Sequence, residues 1–391
     1  MSTGAVDFER AEMVDLFAGP GGLDVAAKWL GISTIGIELD DNACATRRAA
    51  GLDTLQGDVS KCSVEEFPNA RILTAGPPCQ TFSVAGAGAG RRALDQVVAF
   101  ARRMNAGDKN VWRDLAQLDD PRTRLVLEPL RWAIEAIELR KTPFETIVLE
   151  QVPTVRPVWQ EVGQALRSRG YKVVVDILHA EEYGVPQTRR RAILIAHRDR
   201  APRRPEATHH RFRKGTRPGT HERDRLDCRT MADALDRPYP FVVVSNYGTG
   251  GDPKARGRRT SDQPGFTVTG KVSRNRVENL DGDDIHRLTH SEMGRLQTFP
   301  HDYPWEGKDI AQQIGNAIPP RLSAHILCEA VFGCLPDADA LTAAVNDAWV
   351  YPDRGRNRLL PHAAKVAPAA LAYGDRQNNA VLFDVDSAVP V

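Results

Sequence analysis

The chain predicts an α/β fold, a Rossmann-like, doubly wound, mostly parallel sheet, accompanied by a smaller loop-rich module. Three observations carry this. Short apolar runs alternate with stretches of helical spacing through the first 197 residues, a basic proline-rich segment breaks the alternation, and helical signal returns near residue 289. Strands that alternate with helices pair in parallel and are covered on both faces.

Met13–Phe17 reads as a buried strand and Gly22–Leu30 as the helix after it. Thr34–Glu38 is the second strand, Asp41–Ala50 the second helix, and Thr54–Gln56 a short third strand. Ile72–Ala75 is a fourth apolar run that stops at Gly76-Pro77-Pro78. Ala93–Met104 and Leu125–Leu139 have helical spacing. Ile147–Glu150, Lys172–Leu178 and Arg191–Ala196 are strand-like, with helix Val158–Arg169 between the first two. From Arg198 to Arg217 eight basic residues stand against Asp199 and Glu206. Up to about Asp284 the periodicity is weak, with two strand-like pieces, Phe241–Ser245 and Gly265–Thr269. Thr289-His290-Ser291-Glu292 has the spacing of a capping box and opens a helix to Phe299. Pro319-Pro320 precedes a last helix, Leu322 to about Cys334. The expected organisation is a main domain over 1–197, a small module over 198–284, a return segment over 285–335 that completes the main domain, and a tail, 336–391, to which the sequence assigns no role.

The bulk numbers bound the possibilities. With 391 residues and 41% apolar side chains, a large core can form. Basic and acidic side chains number 52 and 51, a balance that neither marks nor excludes a nucleic-acid binder, because local patches decide. The six cysteines, at 44, 62, 79, 228, 328 and 334, form no CxxC pair and have no histidines at zinc spacing. The expectation is therefore no metal site and reduced thiols in a cytoplasmic setting. Asp7, Glu9 and Glu12 leave no apolar core of signal type at the start, and no run of about 18 apolar residues predicts a membrane span.

The first chemical motif is Asp15-Leu16-Phe17-Ala18-Gly19-Pro20-Gly21-Gly22, a strand end, a glycine-rich turn and a helix start. Glycines let backbone approach a ligand, and a helix N-terminus offers free N–H groups. The dinucleotide fingerprint asks for a small residue at position 24, where Asp24 stands. Glu38 ends the second strand, where an acid can hold ribose hydroxyls, and Asp58 follows the third, where it could accept from an adenine amino group. Alone, the glycine turn does not separate a ligand-binding turn from a structural one; three such positions in strand order favour an adenosine-containing cofactor.

The sharpest motif is Gly76-Pro77-Pro78-Cys79-Gln80-Thr81-Phe82-Ser83. Two prolines stiffen the backbone after a strand, where ligand-facing loops of α/β sheets lie. An unplaced cysteine is usually structural, but the prolines, the strand end and polar Gln80, Thr81 and Ser83 point to a nucleophile. Such a thiol must become a thiolate, which requires a locally positive site that lowers its pKa from about 8.5.

With its Asp-Leu-Phe-Ala-Gly-x-Gly-Gly turn and Pro-Pro-Cys-Gln segment, the chain resembles the cytosine-5 DNA methyltransferase family. Later segments agree in order. Glu150-Gln151-Val152 resembles the family's Glu-Asn-Val element, and Gln187-Thr188-Arg189-Arg190-Arg191 its Gln-x-Arg-x-Arg element. Arg287 through Pro300 resembles its late helix, and Gly315-Asn316-Ala317-Ile318-Pro319-Pro320 its Gly-Asn-x-x-Pro-Pro element, so the match runs from about residue 13 to 333.

The resemblance implies an S-adenosylmethionine-dependent methyltransferase fold, S-adenosylmethionine as cofactor, and double-stranded DNA as substrate. It implies Cys79 as the nucleophile at C6 of cytosine and Glu150 as the acid at N3, burial raising a carboxyl for that task. Read alone, Glu150 is equally a strand-end surface acid. Arg189 and Arg191 would hold the base carbonyl, Glu150 or the thiolate; the alternative, a solvated basic strand, is preferred for Arg190. Phe17, Gly19 and Gly21 would line the methionine and adenosine portions, Glu38 would bind the ribose, Asp58 the adenine, Pro78 the site beside the thiol, and Asn316 would help close the pocket. Gln80, Ser83 and Gln187 are the remaining candidates for substrate contact. A base inside a duplex must be flipped out to reach a sheet-edge cysteine. The basic stretch Arg198–Arg217 would grip phosphates and Asn246–Arg276 would read bases, with Arg256, Arg258, Arg259, Arg274 and Arg276 all open as guanine readers. Expected partners are DNA and, in a restriction–modification pair, a cognate endonuclease; no membrane is involved and the protein is expected to be a monomer. Transfer of the methyl group to tRNA and a non-catalytic DNA-binding paralogue are the alternatives. Two departures stand out: Gln151 replaces the family's asparagine, and the segment Val84–Asp120 is long.

Overall fold

A computed structural model describes residues 7–78, 89–115, 117, 122–215, 225–245, 256–349 and 359–360. Seven strands form the main sheet: β1 Met13–Leu16, β2 Thr34–Glu38, β3 Thr54–Gln56, β4 Ile72–Ala75, β5 Thr146–Gln151, β6 Lys172–His179 and β7 Arg190–His197. Their order is β3-β2-β1-β4-β5-β7-β6. The chain leaves β1 toward β2 and β3 on one side and resumes with β4 and β5 on the other. That reversal opens a crevice at the carboxyl ends of β1 and β4.

β1 to β5 pair in parallel, and every residue of β1, β4 and β5 is buried, as a sheet covered on both faces requires. The period of two divides their side chains between two cores. Val14, Leu16, Leu73 and Leu149 face Phe67, Trp132 and Trp159 on one side, while Met13, Ile72 and Val148 face Leu23, Leu322 and Ile326 on the other. β7 runs antiparallel to both β5 and β6. Its first residues therefore lie at the carboxyl edge, with Ala192 opposite Gln151.

The small module is a four-stranded sheet, β11-β10-β8-β9, of β8 Val242–Val244, β9 Arg258–Thr260, β10 Arg276–Glu278 and β11 Asp284–Ile285. Gly265–Thr269, expected as a strand, is not one: it makes a single bridge, Gly265 to Gln187. Its backbone turns instead toward the main domain, where Thr188 N–H donates to the Gly265 carbonyl at 2.9 Å. The boundaries at 198 and 284 also shift. Arg200 is held by Glu329 at 3.1 Å, and Thr208 and His209 donate to the Glu182 carbonyl, so the basic segment begins on the main domain. The module's core continues through Leu288, Met293, Leu296 and Ile314, beyond the expected break. The capping box of Thr289 and Glu292 is present at helix His290–Leu296.

Part of the expected tail completes the main core. Helix Ala338–Asn346 buries Leu341, Leu359 and Leu360 are fully buried, and Trp349 Nε1 donates to the Ala50 carbonyl at 3.1 Å. Among the described residues no helix is long and apolar enough to cross a membrane, and no group of three or more His, Cys, Asp or Glu is arranged to hold a metal.

Asp24, the residue that breaks the dinucleotide fingerprint, is fully buried against Arg47, which donates to both its oxygens at 2.7 and 2.9 Å. Gly36 supplies the room, since a Cβ there would strike the Arg47 guanidinium. Burial opposes the charge on Asp24, but Arg47 wins and holds its carboxyl below the ordinary range. Burial, and then the Asp24 charge, push neighbouring Asp15 well up. Arg47→Met strands the Asp24 charge in the core. Breaking a buried pair from one side costs about 3–5 kcal/mol, so urea unfolding should register a loss of that order, and an unfolding midpoint equal to that of the unaltered protein contradicts the role given to the pair.

Candidate active site

The glycine turn departs from β1 through three left-handed residues, Phe17 (φ 58°), Gly19 (φ 54°) and Gly21 (φ 104°). A phenylalanine in that region is uncommon, and here the turn is tied on both sides. The Gly19 N–H donates to Glu38 Oε2 at 2.7 Å, and Glu38 Oε1 accepts from the Leu39 and Asp40 N–H groups at 2.8 Å. A carboxylate has lone pairs beyond these three, so Glu38 can position the turn and still accept from ribose hydroxyls. After β3, Asp58 Oδ1 accepts from Ser60 N at 3.0 Å and Ser60 Oγ at 2.8 Å. Partial burial works against its charge, but the Ser60 bonds and the Lys61 and Arg124 charges hold it below the ordinary carboxylate range. Asp58 is thus an ionised acceptor at neutral pH. β1, β2 and β3 are neighbours, so Gly19, Glu38 and Asp58 follow one another along a single edge, an arrangement that fits an adenosine-bearing cofactor.

The return segment seals this turn. The Tyr303 hydroxyl, buried, donates to the Pro20 carbonyl at 2.5 Å. The Ile318 carbonyl occupies the space a Cβ on Gly22 would need. Asn316 ends helix Ile310–Asn316, exposed, and accepts from Gln312 Nε2 at 2.7 Å.

Cys79, Gln80 and Ser83 lie outside the described residues; the approach to them does not. Gly76 follows β4, with its N–H on the Leu16 carbonyl at 3.2 Å. A Cβ at Gly76 would sit 3.5 Å from Glu150 Oε2. Gln151 Nε2 donates to the Pro77 carbonyl at 2.5 Å, and its Oε1 accepts from the Val152 N–H. The longer side chain that departs from the family's asparagine therefore spans from β5 to the proline loop. Pro78 is half-buried at the end of this approach.

Glu150 is 7% exposed, and Arg191 Nε pairs with its Oε1 at 2.5 Å. The register explains the meeting: Glu150 lies opposite Ile193, so Arg191, two residues earlier, projects from the same face one step further out.

Arg189 and Gln187 require correction. Arg189 does not pair with Glu150. It is 1% exposed and donates to the carbonyls of Val268 (2.9 Å), Gly315 (3.1 Å from each of two nitrogens) and Ala317 (2.8 Å). Burial, and then Arg191, pull its pKa down while Glu150 works the other way; the carbonyls solvate the cation. Gln187 is not open to a substrate. It is fully buried, donating to the Leu296 carbonyl at 2.7 Å and Gln297 Oε1 at 2.9 Å and accepting from Val268 N at 2.9 Å. Residues that sequence reasoning missed are Tyr303 and Arg47; no local pattern marks either, since Tyr303 acts on a carbonyl 283 residues away.

Comparison with known proteins agrees with this geometry. The model of the C-5 cytosine-specific DNA methylase family matches residues 11–100, 119–231 and 239–331. The chain is 28% identical over 354 residues to Type II methyltransferase M1.HphI of Haemophilus parahaemolyticus, covering 81% of this chain and 86% of that one. It is 28% identical over 342 residues to Type II methyltransferase M.Eco47II of Escherichia coli, covering 80% and 76%. In fold it is similar to the Entamoeba histolytica methyltransferase EhMeth (TM-score 0.53, 13% identity, 82% and 98% covered) and to the S. pombe Dnmt2 methyltransferase (TM-score 0.52, 16% identity, 82% and 97% covered). With a family match across most of its length, the chain belongs to the C-5 cytosine-specific DNA methylase family and is a DNA (cytosine-5-)-methyltransferase.

Proposed function

We propose that the protein methylates C5 of cytosine within a specific double-stranded DNA sequence, through a covalent bond between Cys79 and C6 of a flipped-out base. The observation that carries this reading is the Glu150–Arg191 pair, buried beside Gly76 at the crevice the glycine turn also faces. Family membership implies S-adenosylmethionine as methyl donor and DNA as substrate. When bound, S-adenosylmethionine supplies an electrophilic methyl group carried on a sulfonium. Glu38, Asp58 and the Phe17–Gly21 turn are the residues that would hold it, with Pro78 beside the thiol and Asn316 at the closing segment.

The chain's own residues then divide the work. Cys79 as thiolate adds to C6, which makes C5 enamine-like and nucleophilic. Glu150 protonates or hydrogen-bonds N3 as charge develops there, and Arg191 fixes the carboxyl in position and offsets its burial. Gln151, through the Pro77 carbonyl, sets the height of the proline loop over β5. After transfer a base takes the C5 proton and Cys79 leaves. Gln80 and Ser83 remain candidates for contact with the base or its phosphate.

The basic segment supplies less DNA grip than its composition implies. Arg200 is held by Glu329, Arg204 by Glu182 at 2.6 Å, and Arg198 stacks on Tyr171 at 5.3 Å. Arg211, Arg213 and Lys214 are exposed and are the better phosphate contacts. In the recognition module, Glu278 holds Arg258 (2.6 Å) and Arg276, while Arg259 lies between Phe212 and Phe266 at 4.3 and 5.1 Å. Arg274 is exposed on the turn Val272–Arg274, with no ion pair among the described residues, and is our choice of guanine reader. The similarity to Type II methyltransferases supports a place in restriction–modification, with a cognate endonuclease cutting the same site. The protein is read as a cytoplasmic monomer.

Cys79→Ser should abolish turnover yet bind S-adenosylmethionine within a few-fold of the unaltered protein; radiolabelled methyl transfer to duplex DNA, with tRNA as the competing acceptor, reads the first and calorimetry the second. Methylated tRNA with unmethylated DNA sinks the DNA reading. Glu150→Gln should lower kcat by about 10²–10⁴-fold, the range of general acid–base catalysis, with little change in KM for DNA. Arg274→Ala should cost about 1–3 kcal/mol of discrimination at one base pair of the target, measured by bisulfite sequencing of methylated libraries. Arg258→Ala, which removes a partner of Glu278, should lower stability and leave the sequence preference intact.

A further inference from the structure

The helix Pro320–Leu327 continues into a π-turn, Cys328–Phe332, and stops at left-handed Gly333 (φ 69°). The cap closes with the Cys334 N–H reaching back to the Cys328 carbonyl at 3.4 Å. Caps built on a left-handed glycine bring the side chain after the glycine against a side chain of the last turn, and that contact is usually apolar. Here both residues are cysteines. A hydrogen bond between their own peptide groups keeps the two Cα atoms within the span a disulfide needs.

The two side chains pack in one apolar cluster, and their surroundings differ. Cys328 has no exposed surface and packs in the core, where the neighbouring Cys334 thiol and burial push its own thiol well up. Cys334 is half-buried and lines an open cavity of about 610 Å³ whose charged lining is Arg203, Arg204 and Arg225 with Glu182, Glu206 and Glu329. The neighbouring Cys328 thiol pulls its own thiol down, against burial and Glu329, and Arg200 adds to the effect. A half-buried thiol that opens on a cavity, with a second thiol behind it in the same helix cap, is the arrangement of a redox-responsive pair. The turn it closes packs under β5, where Thr146 Oγ1 donates to the Ala330 carbonyl at 3.4 Å.

We propose that Cys328 and Cys334 form a reversible disulfide under hydrogen peroxide, with Cys334 oxidised first and Cys328 resolving it. The Cys334 thiolate attacks one peroxide oxygen and breaks the O–O bond; hydroxide leaves, takes up a proton to become water, and Cys334 is left as the sulfenic acid. The Cys328 sulfur, losing its proton, then attacks the Cys334 sulfur and expels a second water. Two thiols lose two electrons and two protons in all, and one peroxide is reduced to two waters. A reducing thiol reverses the bond. The pair does not depend on any assumption about methyl transfer.

The test uses the full chain. After brief peroxide treatment and alkylation without reduction, the single tryptic peptide that holds both cysteines should appear two hydrogens lighter and unalkylated, and a thiol reductant should restore double alkylation. Full alkylation of both cysteines after peroxide, while Cys79 in the same sample is oxidised, overturns the proposal; so does a disulfide joining either residue to another cysteine. In Cys328→Ser a 1,3-dione probe should capture a sulfenic acid at position 334, and in Cys334→Ser the Cys328 thiol should stay reduced. Oxidation of Cys328 in the second variant at the unaltered rate overturns the assigned order.

Discussion

Arg189 sits where three separated pieces of chain have to meet. Its guanidinium reaches the carbonyls of Val268 in the recognition module and of Gly315 and Ala317 in the return segment, from the end of β7. Those carbonyls belong to backbone that lies in neither a helix interior nor a sheet ladder, and without a donor their burial would be costly. Gly315 is part of the same constraint. A Cβ on it would run into the backbone of Thr269 and Gly270, so the two segments touch main chain to main chain. The small module and the return segment are thereby referred to one buried cation.

This changes how the Gln-x-Arg-x-Arg element is understood in this chain. Gln187, Arg189 and Arg191 share a parity, and only the last reaches the crevice. Gln187 and Arg189 satisfy backbone groups of the segments stacked behind it. The element therefore combines assembly with an ion pair to Glu150. The two inner side chains hold the return helix and the module against β7, and that docking leaves Arg191 facing Glu150. Under the proposed mechanism, such a network would stand behind the Glu150 carboxyl, whose orientation would tolerate little slack.

Much of the sheet was legible because β1, β4 and β5 are buried on both faces and read as continuous apolar runs, Met13–Leu16, Ile72–Ala75 and Thr146–Gln151. The places of the glycine turn, Glu38, Asp58 and Glu150 in the fold were legible for a related reason: each lies at or just past the carboxyl end of a strand, where a parallel sheet presents its loops. What was not legible depends on distance along the chain. Gly265–Thr269 alternates like a strand, yet its backbone bonds to Pro186, Gln187 and Thr188 of the main domain. The break expected at 284 followed a change in periodicity, whereas the core follows contacts, and Leu296 and Ile314 pack with Val243 and Val277. Asp24 read as a fault in a fingerprint until Arg47 and Gly36 supplied its partner and its space. Gln151 read as a risk to the loop until its reach to Pro77 gave the extra methylene a use.

The near balance of 52 basic and 51 acidic residues also acquires a physical meaning. Many of the arginines are occupied inside the fold. Arg47 neutralises Asp24, Arg131 spans Glu128 and Glu135, Arg237 clamps Glu292, and Glu278 takes two from the recognition module. Charges committed in this way lend little to a polyanion, since each is cancelled within a few ångströms and the remainder is screened over about a Debye length. The field that reaches solvent comes from the residues left over, among them Arg211, Arg213, Lys214 and Arg274, all exposed. A chain with almost no net charge can still bind a polyanion when its acids are spent on internal arginines and other bases are left exposed. For such a protein the sum over the sequence says little about the substrate, and the pairing inside the fold says which cations are free to meet it.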